Sequence, residues 1–189
     1  MVIEPLTKQQ VKQVYKNHLK NDFPASERRP LYAILSAMRR GSCICYGLTE
    51  GGELMAYAFF IRIGRDYLLD YFAVAEEKRE NGYGSVFLGM LLEKLKDAAL
   101  VLVEVEEPDS AQTEEEKETR LRRIRFYERS GFSWTGVRAK TFGVDYRIIA
   151  IGTEKPFDRA RICALYPELY SVSTPKFLCR REVKPYYTP

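Results

Sequence analysis

The sequence predicts an α/β (α+β) fold: a mixed central sheet with helices on both faces, in the order ααβββαβαββ, followed by a carboxy-terminal extension. Three observations carry this. Apolar residues recur at helical spacing in four segments, and short runs rich in Tyr, Phe and Ile, broken by glycine turns, give three successive antiparallel strands. One further run, Leu100 to Val105, is apolar on both faces, as a strand covered on both sides must be. A chain of 189 residues makes one domain, able to bury about 70% of the surface its unfolded form exposes.

Thr7-Lys8-Gln9-Gln10 reads as a capping box opening a helix whose buried stripe is Val11, Val14, Tyr15 and Leu19, with His18 beside it as a packed or half-exposed residue. A second helix through Leu31, Ile34, Leu35 and Met38 stops where Arg39-Arg40 meets Gly41. Strands follow at 42–49, 53–63 and 66–74, turned at Glu50-Gly51-Gly52 and Gly64-Arg65-Asp66. The helix 82–97 turns Phe87, Leu88, Leu91, Leu92 and Leu95 inward. The helix 113–130 opens on Thr113-Glu114-Glu115-Glu116 and closes before Gly131, its acidic first half and arginine-rich second half suiting the helix dipole. Strands at 132–140 and 144–152 complete a domain of residues 1–152. Residues 153–189 are expected to pack on it as an extension, with a short helix from Pro156 to Tyr166 ended by Pro167.

A composition of 46% hydrophobic and 30% charged residues is that of a globular chain and excludes low-complexity classes. The longest apolar run, Leu54 to Ile61, is far short of the roughly 20 residues a membrane helix needs. Met1-Val2-Ile3-Glu4-Pro5 lacks the pattern of a signal peptide, so a cytoplasmic location is expected. Cys43, Cys45, Cys163 and Cys179 form no paired metal-ligand spacing and read as buried thiols, and with a single histidine no metal site is expected. Thirty basic against 26 acidic residues leave a net +4, too balanced to imply nucleic acid by itself. The cluster Arg120, Arg122, Arg123, Arg125 and Arg129 shares its helix with Glu114, Glu115, Glu116 and Glu118, which favours pairing along a solvated face over nucleic-acid binding.

The segment from Asp70 to Ser85 runs from a strand through a polar turn directly into a helix. Free amides at a helix start bind phosphate oxygens, and glycines let the ligand approach. Arg79-Glu80-Asn81-Gly82-Tyr83-Gly84 lacks the first glycine of the dinucleotide fingerprint and the Lys-Ser/Thr of a Walker loop. At the end of the next helix stands Tyr127-Glu128-Arg129-Ser130-Gly131-Phe132. Together these two motifs resemble those of the GNAT superfamily of acetyl-CoA-dependent N-acetyltransferases, over about residues 7 to 152. The chain departs from the family pattern at Arg120 and Arg123, where many members carry Asn and Ala and where residue 120 would contact the cofactor. The resemblance implies the acyl-CoA N-acyltransferase fold, with acetyl-CoA as cosubstrate. Phe72, Ala73 and Val74 would lie along the pantetheine arm, which the backbone of Phe72 and Val74 would pair. The amides of Arg79, Glu80, Asn81, Gly82, Tyr83 and Gly84 would hold the pyrophosphate, with Ser85 at the helix start, and Tyr127 would protonate the leaving thiolate.

Acetyl transfer to an amine is a direct attack on a thioester, needing positioning, a proton acceptor for the amine and a donor for the sulfur, but no covalent nucleophile. Asp70 and Glu104 are the candidate bases, because acids inside apolar strands are unusual, with Glu104 slightly preferred. Glu106 shares the face of Glu104, whereas Glu107 is expected to begin a solvated loop. Phe23 and Glu27, on the connector 22–30 that includes Ser26, are expected with Glu106 to meet a small-molecule or peptide amine. A non-catalytic acyl-CoA-binding or protein-interaction domain is the alternative, and either a monomer or a homodimer is compatible with the sequence.

Overall fold

The computed structural model describes residues 1–25 and 27–187; Ser26 of the predicted connector and the last two residues of the extension lie outside them. Among the described residues one sheet runs β1-β2-β3-β4-β5-β7-β6-β8. Its strands are β1 (Val2–Pro5), β2 (Cys43–Glu50), β3 (Glu53–Ile63), β4 (Asp66–Val74), β5 (Leu100–Glu106), β6 (Ser133–Thr141), β7 (Val144–Ile151) and β8 (Val183–Tyr186). All neighbours pair antiparallel except β4 and β5. That pair needs a crossover, which is the helix α4 (Tyr83–Lys94).

One face of the sheet carries α1 (Lys8–Val14), which continues through a π-helical turn, Tyr15–Leu19, into α2 (Lys20–Asp22), together with α3 (Leu31–Arg39). The predicted capping box at Thr7 and Gln10 is formed, and Val11, Val14, Leu19, Ile34 and Ala37 are buried in one cluster. The other face carries α4 and α5 (Glu114–Arg129), through Phe87, Leu88, Leu91, Ile124 and Tyr127. Leu100 and Leu102 of β5 enter the first cluster and Val101, Val103 and Val105 the second, which is why the run is apolar on both faces. The helices therefore cover both faces, as the sequence predicts.

Four expectations need correction. Strand β1 is missing from the predicted order, because a four-residue edge strand with one half-buried residue and a terminal proline has no alternation to read. The helix predicted to end at Pro167 is α6 (Arg159–Ser171), which continues through that proline. An interior proline costs about 3 kcal/mol, but burying Leu169 and Tyr170 beyond it returns about 1.5–3 kcal/mol each. The chain then forms α7 (Lys176–Glu182) and β8, which pairs with β6, so the extension completes the sheet as well as packing on it. Glu107 is buried, not solvated: Arg147 and Arg138 bind its carboxylate, at 2.5 and 3.1 Å for the closest contacts. Of the four thiols, all free, Cys43, Cys45 and Cys179 are buried and Cys163 is half-buried.

Candidate active site

The site begins as an interruption of the sheet. Parallel pairing of β4 with β5 runs from Asp66 opposite Leu100 to Leu69 opposite Val103 and stops there. Asp70 and Glu104 are the next residues on the two strands. On its other edge β4 changes register against β3: Phe59 faces Tyr71 and Phe60 faces Leu69, so Asp70 is the extra residue of a β-bulge. Leu68 and Leu69 alternate between the two core clusters, then Asp70 and Tyr71 both point to the first face, lining one cavity. A bulge does this because one extra residue breaks the two-residue alternation.

Past the bulge β4 keeps β3 on one side and, among the described residues, has no strand on the other. Ala75 donates its amide to Met55 at 2.9 Å, so by alternation Ala73 also faces β3, whereas the backbone groups of Phe72 and Val74 face the vacated edge. That edge leads into the turn 79–84. Glu80 and Gly82 both have positive φ, 67° and 77°, and α4 begins at Tyr83 without a side-chain cap. Alternating hands of this kind gather backbone N–H groups into an anion-binding concavity, and the amides of Tyr83 and Gly84 have no partner among the described residues. Asn81 braces the turn by donating to the Arg79 carbonyl at 2.9 Å, and Tyr83 donates to Glu50 at 2.9 Å. The Arg79 guanidinium binds Asp22 at 2.6 Å, and Asp22 also accepts from Tyr57 at 2.7 Å. Arg79 thus ties the turn to the end of the first helix. Ser85 stands in the first turn of α4, its amide bonded to Gly82.

On the first face a cavity of about 380 Å³ is lined by Phe23, Glu27, Asp70, Glu104, Tyr146 and Tyr170, among others. Its two candidate bases differ. Asp70 accepts both its close contacts from Arg29 Nε, at 2.9 and 2.8 Å, in a pair whose side chains are each 8% exposed. Both Asp70 contacts are thus committed to a buried guanidinium. Among the described residues no cation is bonded to Glu104. Burial pushes its carboxyl up to about 7, while hydrogen bonds from the Tyr166 and Tyr170 hydroxyls pull the other way. Tyr170 reaches both oxygens, at 2.8 and 2.9 Å, and Tyr166 also meets Thr141 at 2.8 Å. Glu27 is raised by burial, with Glu106 adding to the effect. Glu106 itself does not line the cavity; Arg123 binds it at 2.7 Å.

Tyr127 lies on the opposite face, 6% exposed, edge-on to Phe126 and Phe132. Its hydroxyl has no hydrogen-bond partner among the described residues, and burial pushes it up to about 12. Phe126 packs on Phe72 and close to Gly84, which joins this helix to the turn 79–84. Arg120 donates to the Glu107 carbonyl at 2.8 Å and to Ser110 at 2.9 Å, so it holds the loop between β5 and α5. Sequence reasoning missed Arg29, Tyr146, Tyr166 and Tyr170. The last two had a signal, since i and i+4 tyrosines share a helix face with Ile162 and Leu169, but only if the helix passes Pro167.

An acetyltransferase (GNAT) family model matches residues 11–132, and the chain belongs to that family of acetyl-CoA-dependent transferases. No curated protein matches the sequence. A solved protein described as an acetyltransferase from the GNAT family of Bacteroides thetaiotaomicron superimposes with a TM-score of 0.70 at 20% identity, covering 94% of this chain and 99% of its own. The ribosomal-protein-S18-alanine N-acetyltransferase from Escherichia coli gives 0.60 at 20% identity, over 83% and 99%. The spermidine N-acetyltransferase from Vibrio cholerae, in complex with CoA and spermine, gives 0.60 at 12% identity, over 79% and 94%. At these identities the likeness is one of fold. No helix among the described residues is long and apolar enough to cross a membrane, and none of them form a group able to hold a metal ion.

Proposed function

We propose that the chain transfers the acetyl group of acetyl-CoA to a primary amine by direct attack on the thioester. The amine nitrogen forms the new bond to the carbonyl carbon, the carbon–sulfur bond breaks, Glu104 takes the amine proton, and Tyr127 gives a proton to the departing thiolate. The observation that carries this reading is the opening of the sheet after Leu69 and Val103. It leaves a free backbone edge at Phe72 and Val74 leading to the amide turn, and it leaves Glu104, at about 7, on the wall of the adjoining cavity. A base at that value is half ionised near neutral pH, where it combines availability with proton affinity.

The pantetheine arm would pair with the free edge as an added strand, and the pyrophosphate would accept from the amides of residues 79–84. The burial that raises the Tyr127 phenol also raises the proton affinity of a thiolate formed beside it, which keeps the transfer balanced. Phe23 and Glu27 would meet the amine substrate from the connector. The test is calorimetric titration with acetyl-CoA, repeated on Gly84→Glu. Saturable binding lost in the variant, with amine turnover in the wild type, supports the reading. A folded wild type that binds no acetyl-CoA removes it, and binding without any amine turnover reduces it to acyl-CoA binding alone.

A further inference from the structure

Besides its acids, the cavity wall holds polar groups that acetyl transfer leaves unused. Arg29 is 7% exposed, and its guanidinium is pinned on three sides. Nε binds Asp70, Nη1 donates to Thr174 Oγ1 at 2.6 Å, and the guanidinium carbon lies 4.6 Å from the centre of the Tyr170 ring. Both Nη2 protons have no partner among the described residues. Among the described residues the side-chain atoms sealed from solvent without a hydrogen-bond partner are Arg120 Nε, Arg161 Nη1 and Ser173 Oγ; Arg29 Nη2 is not one of them, and Arg29 lines the cavity. Ser173 lines the same cavity beside Thr174, and its orphaned hydroxyl loses no hydrogen bond by turning toward a ligand.

We propose that the acceptor is a free amino acid, its amine toward Glu104 and its carboxylate on Arg29 Nη2 and Ser173. This rests on the acetyltransferase reading and narrows it. The charges agree. Asp70 cancels Arg29, leaving Glu27 and Glu104 to face a substrate cation and Arg28 on the same wall to favour an anion. A polyamine would bring several cations against Arg28, whereas an amino acid brings one charge of each sign. The volume, about 380 Å³, sits at the small end of the roughly 300–1,000 Å³ that ligand pockets span.

The experiment compares each of the common amino acids with its own decarboxylated amine, under saturating acetyl-CoA. A site built to bind a polar group rejects the analogue lacking it, and kcat/KM is expected to favour the amino acid by about 100-fold or more in every pair that turns over. Arg29→Gln would strand Asp70 and endanger folding, so the variant is Ser173→Ala. It should raise KM for the amino acids about 5- to 10-fold, the loss of one hydrogen bond, and leave KM for the amines unchanged. Equal kcat/KM within the pairs, or an equal effect of Ser173→Ala on both members, overturns the inference while acetyl transfer stands. If no amine is acetylated, the catalytic reading falls, and calorimetry with the same pairs decides the anchor: tighter binding of the amino acids keeps it, and equal or weaker binding overturns it.

Discussion

Two carboxylates one position beyond the same strand pairing have been given different surroundings by their neighbours. Arg29 pairs with Asp70, whereas two phenols hold Glu104 among the described residues, so burial dominates there and the carboxyl rises to about 7. Glu104→Gln should lower kcat by about 10²- to 10⁴-fold, the usual span for a general base, with acetyl-CoA affinity intact by calorimetry. A loss of less than threefold would move the base elsewhere. The phenols tune the same group. Hydrogen bonds donated to the charged form lower a pKa, so Tyr170→Phe should move the acid limb of the kcat/KM profile to higher pH by about one unit. An unmoved limb would mean that Tyr170 only fills space. Tyr127→Phe should lower kcat and leave the dissociation constant of acetyl-CoA unchanged, and an equal loss of both would give this tyrosine a binding role instead.

At the scale of elements, the turn between β4 and α4 ties backbone conformation to the cofactor binding proposed for it. A Cβ on Gly82 would meet nothing within 4 Å, but φ there is +77°, so Gly82→Ala is strained by conformation alone, by about 1 kcal/mol. That corresponds to a fall of about 2–4 °C in Tm, accompanied by weaker acetyl-CoA binding as the amides shift. Gly84 has ordinary backbone, and its Cβ would lie 3.5 Å from Val74, so Gly84→Ala should change Tm by less. Reversed rankings in a thermal melt would contradict this account of the turn. The element pattern was readable because glycine turns punctuate it: β3 and β4 coincide with their predicted spans, and β2, β5, β6 and β7 lie within a residue of theirs. Glu104 and Asp70 stand out in the sequence for a similar local reason, being acids in apolar runs. Arg29 does not, because its partner Asp70 is 41 positions away and an arginine in a polar connector looks solvated until tertiary packing covers it. The bulge that turns Asp70 and Tyr71 to one face also leaves no mark in composition, since it depends on the register of β3.

Over the whole molecule, the extension and the sheet meet at Glu104. Tyr166 and Tyr170 of α6 are in the core cluster with Val14 of α1 and Ile148 of β7, so the residues that hold the carboxyl also hold the fold together. This makes Glu104 a stability element with a definite pH signature. An ordinary glutamate is half ionised at about pH 4.5, whereas Glu104 in the folded state reaches that point only at about 7. Between those values the folded protein binds one more proton than the unfolded chain, so stability from this group is fully present below about pH 4.5 and is lost as pH rises through about 7. The difference amounts to about 3 kcal/mol across the window. Glutamine has no proton to release, so Glu104→Gln should lack this component, and the gap between its urea-unfolding free energy and that of the wild type should shift in the variant's favour from pH 4.5 to 8. Parallel stability profiles for the two proteins would show that Glu104 titrates as an exposed glutamate does, and would remove it both as a buried strain on the fold and as a base poised for neutral pH.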